Sequence, residues 1–133
     1  MSNPLSMLHF LRGATLAIGL ALAGTAMTQE FPSKPVKIVV PYPPGGGVDR
    51  LGRMLAEKLQ ARWGQPVIVE NRAGASGNLG SEYVVKSAPD GTTLLLAAQV
   101  QFITAKALYP NLGFDPDTIV PVSTVISSTN VLV

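Results

Sequence analysis

The sequence contains no cysteine and only one histidine, His9. Without cysteine the chain has no disulfide, no thiolate nucleophile and no cysteine that could carry a lipid anchor. His9 lies in a segment that we expect to be removed, so the remainder has no histidine for a catalytic triad or a zinc site. The acidic residues also form no evident acid/base pair by spacing. The sequence therefore predicts no catalytic residue, no metal ion and no cofactor.

Charge is also scarce and scattered along the chain. Lys and Arg number 10 and Asp and Glu number 8, for a formal net charge of +2. There is no basic run, and aromatic residues do not alternate with Lys and Arg as a nucleic-acid surface requires. We therefore expect no nucleic-acid partner.

The N-terminus has the features of a secretory signal peptide. Residues 1–12 are basic without an acidic residue, and residues 13–24 form an apolar run, GATLAIGLALAG. Gly24 and Ala26 stand at the −3 and −1 positions of a plausible cleavage site. We expect residues 1–26 to be a signal peptide that is cleaved on export, with a retained membrane anchor as the alternative. Residues 27–133 are then long enough for one domain.

Strand-like and helix-like segments alternate after residue 35. Short apolar runs at 36–40, 66–70 and 92–98 predict strands, and residues 79–88 and 102–108 predict helices. A longer helix is expected to begin with Asp49 as its cap and to end at Gly64. Its apolar face is predicted to contain Leu51, Met54, Leu55, Lys58, Leu59 and Trp63, with Arg53 and Glu57 turned elsewhere. Residues 122–133 indicate one or two further strands. This order predicts an α/β fold with a mainly parallel sheet flanked by helices.

Two glycine-rich loops follow the first two predicted strands, PYPPGGGVD at 41–49 and NRAGASGN at 71–78. Loops at the carboxyl ends of parallel strands border the usual ligand crevice of such sheets. Gly45, Gly46 and Gly47 would let backbone N–H groups approach an anion at a helix start. Ser76, Asn78 and Gln99 would add neutral hydrogen-bonding groups. The alternative is that the glycines only permit a tight turn and bind nothing.

Known glycine-loop motifs do not fit these residues. No lysine follows the glycines as a phosphate-binding loop requires, and the dinucleotide pattern counted from Gly45 ends on Arg50. The sequence GASGN has asparagine where a nucleophile elbow has glycine. Asp49 is expected to act mainly as a helix cap, although its position would also allow contact with a ligand amine.

The motifs FPSKP, PYPPGGGVD, GQPVIVENRAGASGN, SAPDGTTLL and LYPNLGFDP occur in the order and spacing of a known family. From residue 30 to residue 133 the chain resembles the N-terminal part of the Bug family, the TctC-like extracytoplasmic receptors of tripartite tricarboxylate transporters. The resemblance implies one lobe of a periplasmic-binding-protein-like fold that closes on a small carboxylate. It also implies a periplasmic location and the membrane components of such a transporter as partners.

The resemblance implies that the ligand carboxylate is held mainly by backbone groups and ordered waters of the first-lobe loops. Carried over by position, these are residues 41–49 and 71–78 with the turn at 97–101 beside them. The ligand-binding residues that we expect are Tyr42, Pro44, Gly45, Gly46, Gly47, Asp49, Asn71, Ala75, Ser76, Gly77, Asn78, Ala98 and Gln99.

Family members are much longer than this chain and contain a second lobe. We therefore expect residues 27–133 to be an incomplete first ligand-binding lobe of a truncated receptor, with the second lobe absent. The alternatives are a small α/β enzyme domain that acts on an anionic substrate and a fragment without ligand function. The sequence does not specify which carboxylate is bound.

Overall fold

A three-stranded parallel sheet forms the centre of the protein. The computed structural model describes residues 30–103, 105–109 and 112–127. The strands are β1 (Val36–Val40), β2 (Val67–Asn71) and β3 (Thr93–Leu95), in the order β2-β1-β3. Both neighbours of β1 run parallel to it, with Ile38 opposite Val69 on one side and Leu94 on the other. The α/β fold with a parallel sheet is thus confirmed.

The sheet is covered on one face by helix α1 (Gly47–Trp63). Val36, Ile38 and Val40 point to this face and form the core with Ala56 of the helix and Val67 of β2. β1 is buried because it has a strand on each side and a helix on each face, which explains why four of its five residues are valine or isoleucine.

Helix α1 begins and packs differently from the prediction. Its N-cap is Gly46, three residues before the predicted cap, so Asp49 lies in the first turn and is not the cap. Its packed side is lined by Val48, Gly52, Leu55, Ala56, Leu59 and Trp63, whereas Met54 is 65% exposed. The packed side of the helix differs from the predicted apolar face because Gly52, which has no side chain, lies against the sheet. A Cβ there would lie 3.2 Å from both Leu96 and Val40. The predicted stop is correct, since Gly64 has φ 65° and its N–H bonds to the Gln60 carbonyl at 3.0 Å.

Helix α2 (Asn78–Val85) lies on the opposite face of the sheet. Lys37, which alternates with the core residues of β1, reaches Tyr83 of this helix with a 2.9 Å hydrogen bond. The helix packs closely against the end of β1, because a Cβ on Gly80 would lie 2.8 Å from Cβ of Pro41.

The third part of the predicted pattern is only partly correct. β3 covers only three residues of the expected strand. The helix expected at 102–108 is confirmed for its described residues, which belong to α3 (Val100–Ile103) and α4 (Ala105–Leu108). Leu96 still donates to the Val39 carbonyl at 2.9 Å, but the next residues turn away toward the loop at the end of β1. A short 3₁₀ helix, Pro116–Thr118, follows.

Residues 119–127 run without regular secondary structure. The strand expected from residue 122 is therefore wrong for residues 122–127, which pair with no described strand, and residues 128–133 lie outside the described part. The expected signal peptide also lies outside it. Within the described residues no helix has the length and apolar character to cross a membrane.

Trp63, Asp90 and Asp115 have structural roles in the described residues. Trp63 packs edge-on against Phe31, with ring centroids 5.9 Å apart. Asp90 accepts the Thr92 N–H at 3.0 Å, and Asp115 accepts the Asp117 N–H at 3.1 Å, as turn residues do.

Candidate functional site

Three loops meet at the edge of the sheet where β1, β2 and β3 end. Because the strands are parallel, their carboxyl ends lie on the same side. The amide of Asn71, at the end of β2, donates to the Tyr42 carbonyl after β1 at 3.1 Å. The Tyr42 hydroxyl in turn accepts the Ala98 N–H of the third loop at 3.3 Å. The first loop is thus hydrogen-bonded to both of the others.

The first loop leads directly into the N-terminus of α1. Gly45 has φ 86°, a left-handed conformation that favours glycine. The first hydrogen bond of the helix runs from the Arg50 N–H to the Gly46 carbonyl at 3.0 Å. The N–H groups of Gly47, Val48 and Asp49 precede it, so they have no acceptor within the helix. These donors lie at the positive end of a 17-residue helix. Pro44, Gly45, Gly46 and Gly47 are all exposed.

A buried carboxylate supports this loop from behind. Asp49 is 3% exposed, and its Oδ2 accepts the Gly45 N–H at 2.9 Å. Its Oδ1 accepts the Asn71 amide at 3.0 Å. The Arg53 guanidinium contacts both oxygens, with Nε 3.1 Å from Oδ2 and Nη2 3.0 Å from Oδ1. Both oxygens are therefore bonded within the protein.

Asp49 remains ionised far into acid. The hydrogen bond from Arg53, followed by those from Gly45 and Asn71, lowers its pKa from 3.8 to about 2. One consequence for binding is that the Gly45 N–H is already used by Asp49. The loop's N–H donors without an acceptor therefore start at Gly46, which is exposed.

The second loop has an unusual backbone. Gly74, Ala75, Ser76 and Gly77 all have positive φ, with 47° for Ala75 and 56° for Ser76. A non-glycine residue in this region costs on the order of 1 kcal/mol or more, and such strain persists only where the surrounding contacts impose it. Two contacts do so here. The Gly77 N–H bonds to the Gly74 carbonyl at 2.9 Å, and the Tyr109 hydroxyl lies 2.7 Å from Ser76 Oγ.

The structure places all of the predicted ligand-binding residues on these three loops or at the helix starts beside them. Tyr42, Asn71 and Asn78 are half-buried, and Asp49 and Gly77 are buried. The exposed members are Pro44, Gly45, Gly46, Gly47, Ala75, Ser76, Ala98 and Gln99. Direct hydrogen bonds join Tyr42, Asp49 and Asn71 into one network, whereas Gln99 bonds through its carbonyl to the start of α3.

Sequence reasoning missed two residues of this region. Arg53 was placed on another face of the helix, yet it reaches Asp49 and also Asn71 Oδ1 at 3.3 Å. Its position four residues after Asp49 is the spacing of a helical ion pair, so a signal was available. Tyr109 contacts Ser76 from 33 residues away, and no local pattern predicts that contact.

Arg72, the neighbour of Asn71, does not belong to this network. Its guanidinium carbon lies 3.6 Å from the centroid of the Tyr83 ring on the opposite face of the sheet. Lys37 lies 2.6 Å from Glu70 in the same cluster, and this hydrogen bond raises the pKa of Lys37 and lowers that of Glu70. The described residues contain no cluster of His, Cys, Asp and Glu that could hold a metal ion.

Comparison with known proteins identifies related sequences. Residues 51–133 match the model of the family described as "Tripartite tricarboxylate transporter family receptor". The protein BugT of Bordetella pertussis is 41% identical over 117 residues, which cover 84% of this chain and 36% of BugT.

Solved structures show the same fold. One is Rpa4515 of R. palustris with adipate, at 35% identity and TM-score 0.63, covering 66% of this chain and 29% of that one. Another is MatC of Rhodopseudomonas palustris with bound malate, at 38% identity and TM-score 0.61, covering 65% and 30%. The chain spans less than two fifths of the length of its curated relatives, 39% and 36% for two of them.

Proposed function

This chain belongs to the tripartite tricarboxylate transporter receptor family, and on that premise we propose that it forms part of a periplasmic receptor for a small organic carboxylate. Its family and structural neighbours are substrate-binding receptors and not enzymes. The observation that carries the proposal is the glycine loop at the start of α1, where N–H donors without a helical acceptor coincide with the positive end of the helix.

The ligand carboxylate would be bound chiefly by backbone groups. The N–H groups of Gly46, Gly47 and Val48 are the nearest donors that lack a helical acceptor. Gly46 and Gly47 have no Cβ, so a carboxylate oxygen can approach the backbone closely. In the second loop, Ser76 and Asn78 would contribute hydroxyl and amide groups from the other side of the same edge.

The choice of ligand class also rests on the structural neighbours. Two of them contain adipate and malate, which are both dicarboxylates. We infer a ligand with at least one carboxylate for the loops described above. Groups that contact its other end would lie outside the residues described.

A titration of the full-length protein tests this proposal. Malate and adipate are the probes, and the matched controls are their diamides, which have similar size and no charge. We expect calorimetric binding of at least one dicarboxylate and none of its diamide. Equal binding of acid and amide, or no binding of either, would contradict the proposal. Proton NMR of the same mixture should show the ligand unchanged, whereas steady conversion to a product would favour the enzyme alternative.

We further propose export through a cleaved signal peptide and delivery of the ligand to a tripartite transporter. The basic flank, the short apolar run and the small residues Gly24 and Ala26 support cleavage. Mass spectrometry of periplasmic protein should find a new N-terminus between Ala26 and Gln29. Recovery of an intact Met1 from the membrane fraction would instead support a retained anchor.

A further inference from the structure

The negatively charged side chain of Asp49 lies next to the backbone of the glycine loop, residues 41–49. Asp49 is buried, and its Oδ2 lies 2.9 Å from the nitrogen of Gly45, one residue before the first free donor of the loop. An anionic ligand bound to the N–H groups of Gly46 and Gly47 would therefore be separated from the ionised Asp49 carboxylate only by the backbone of the loop. Repulsion between these two like charges would oppose binding.

The side chain of Arg53 counteracts this repulsion. It is the charged partner that the structure gives to Asp49, and it contacts both oxygens at 3.0 and 3.1 Å. The pair is arranged as a fork that holds the carboxylate plane in one orientation. Nη2 also lies 3.3 Å from Asn71 Oδ1, which orients the Asn71 amide toward Asp49 and the Tyr42 carbonyl.

We propose that Arg53 is a positioning residue of the carboxylate site. It neutralises the charge of Asp49, holds the glycine loop in place and thereby allows the loop to bind an anion. This inference rests on the proposed function, because it gives Arg53 a role in the same site. Arg53 does not need to touch the ligand.

The other groups that face Asp49 are uncharged. Gly45 belongs to the first loop and Asn71 to the end of β2. The charged neighbours of Asn71 along the chain, Glu70 and Arg72, pair with each other on the opposite face of the sheet. No second cation in the described residues is paired with Asp49, so removal of Arg53 should leave its charge uncompensated.

The first test needs no ligand. Carbon NMR titration of the Asp49 carboxyl compares the full-length wild type with Arg53→Gln, Arg53→Lys and Arg50→Gln. Arg50 is an exposed residue of the same helix end, so Arg50→Gln is a control with the same change in net charge. We expect the pKa of Asp49 to rise from about 2 toward its ordinary 3.8 in Arg53→Gln and to stay low in Arg50→Gln. An unchanged pKa in Arg53→Gln would overturn the inference.

The second test measures binding of malate and adipate to the same variants. Arg53→Gln should weaken binding about tenfold or more, and Arg50→Gln should have a much smaller effect. Adding Asp49→Asn to Arg53→Gln removes the uncompensated charge and should restore binding to within about threefold of wild type. Loss of packing alone would not be rescued in this way.

The outcomes separate the two proposals. If the wild type binds neither probe, the proposed function fails while the NMR result still reports on the Arg53–Asp49 pair. If the wild type binds and Arg53→Gln binds equally well, or if the double variant is no better than Arg53→Gln, the inference about Arg53 is wrong. Should Arg53→Gln fail to fold by circular dichroism, Arg53→Lys serves instead, with weaker binding expected because lysine cannot hold both oxygens.

Discussion

Neighbouring glycines of the first loop have different reasons to be glycine. Gly45 has φ 86°, so any side chain there would strain the backbone. Gly46 has φ −70° and ψ 170°, which any residue can adopt, and a Cβ there would meet only the Pro43 carbonyl at 3.6 Å. The fold itself therefore does not demand glycine at position 46. A side chain there would instead affect a ligand that approaches the backbone.

This difference gives a prediction for Gly46→Val. We expect the variant to change the free energy of unfolding by no more than about 1 kcal/mol, the cost of a poorer helix N-cap. Binding of malate or adipate to the full-length protein should weaken by about 2 kcal/mol, or roughly 30-fold, since the side chain blocks a charge-assisted hydrogen bond. Calorimetry measures the binding and urea unfolding the stability. Glu57→Ala, on the exposed side of the same helix, is the control, and an equal loss in both variants would remove Gly46 from the site.

Asp49 allows a prediction about acid stability. Its pKa is lowered to about 2 in the folded protein, chiefly by Arg53, against an ordinary value of 3.8. A lowered folded pKa means that the ionised carboxylate stabilises the fold above about pH 4. This stabilisation is lost as the pH falls toward 2. The difference in melting temperature between wild type and Asp49→Asn should therefore shrink between pH 5 and pH 2. A difference that stays constant over this range would contradict the assignment, and Glu57→Gln is the control.

Among the helices and strands, the sequence predicted the features that depend on the burial of a local segment. It missed features that depend on contacts with distant segments. β1 matches the predicted strand 36–40 residue for residue, because a strand covered on both faces is rich in apolar side chains, here all but Lys37. β3 is shorter than its apolar run TTLLLAA, since Ala98 bonds to the Tyr42 hydroxyl and not to a strand. The convergence of the loops was predictable from parallel topology. The contact of Tyr109 with Ser76 was not recognised because the two residues lie 33 positions apart in the chain. The Arg53–Asp49 pair has the spacing of a helical ion pair and could have been predicted.

Helix α2 approaches the first loop so closely that Gly80 becomes essential. A Cβ at Gly80 would lie 2.8 Å from Pro41 Cβ and 3.0 Å from the Arg72 carbonyl oxygen. Gly80→Ala must therefore push α2 away from the ends of β1 and β2, and we expect a destabilisation of about 1–3 kcal/mol in urea unfolding. Gly47→Ala is the matched control, because no atom lies within 4 Å of its added Cβ. If both variants were equally stable, the packing of α2 against Pro41 would be looser than described.

The whole molecule combines a well-packed sheet with an apolar segment that lies in the open. Val36, Ile38 and Val40 are nearly inaccessible to water, whereas Val120, Val122 and Ile126 are 80%, 85% and 69% exposed. The latter three belong to the irregular stretch 119–127, which makes no strand pairing within the described residues. The chain corresponds to 39% or less of the length of its curated relatives. The relatives thus contain a large part that has no counterpart in this chain. That part is not among the residues that surround residues 119–127 here.

The exposed stretch predicts how the 133-residue chain behaves in isolation. Exposed apolar side chains on a segment without a strand partner favour contacts between molecules, both through their surface and by strand addition at a sheet edge. We expect self-association that increases with concentration in size-exclusion chromatography with light scattering. The double variant Val122→Lys, Ile126→Lys should be mostly monomeric, because the charges oppose both kinds of contact. Met54→Lys introduces a charge at an isolated exposed residue of α1 and should leave association unchanged. A wild-type chain that stays monomeric at high concentration would show that residues 119–127 are covered in solution.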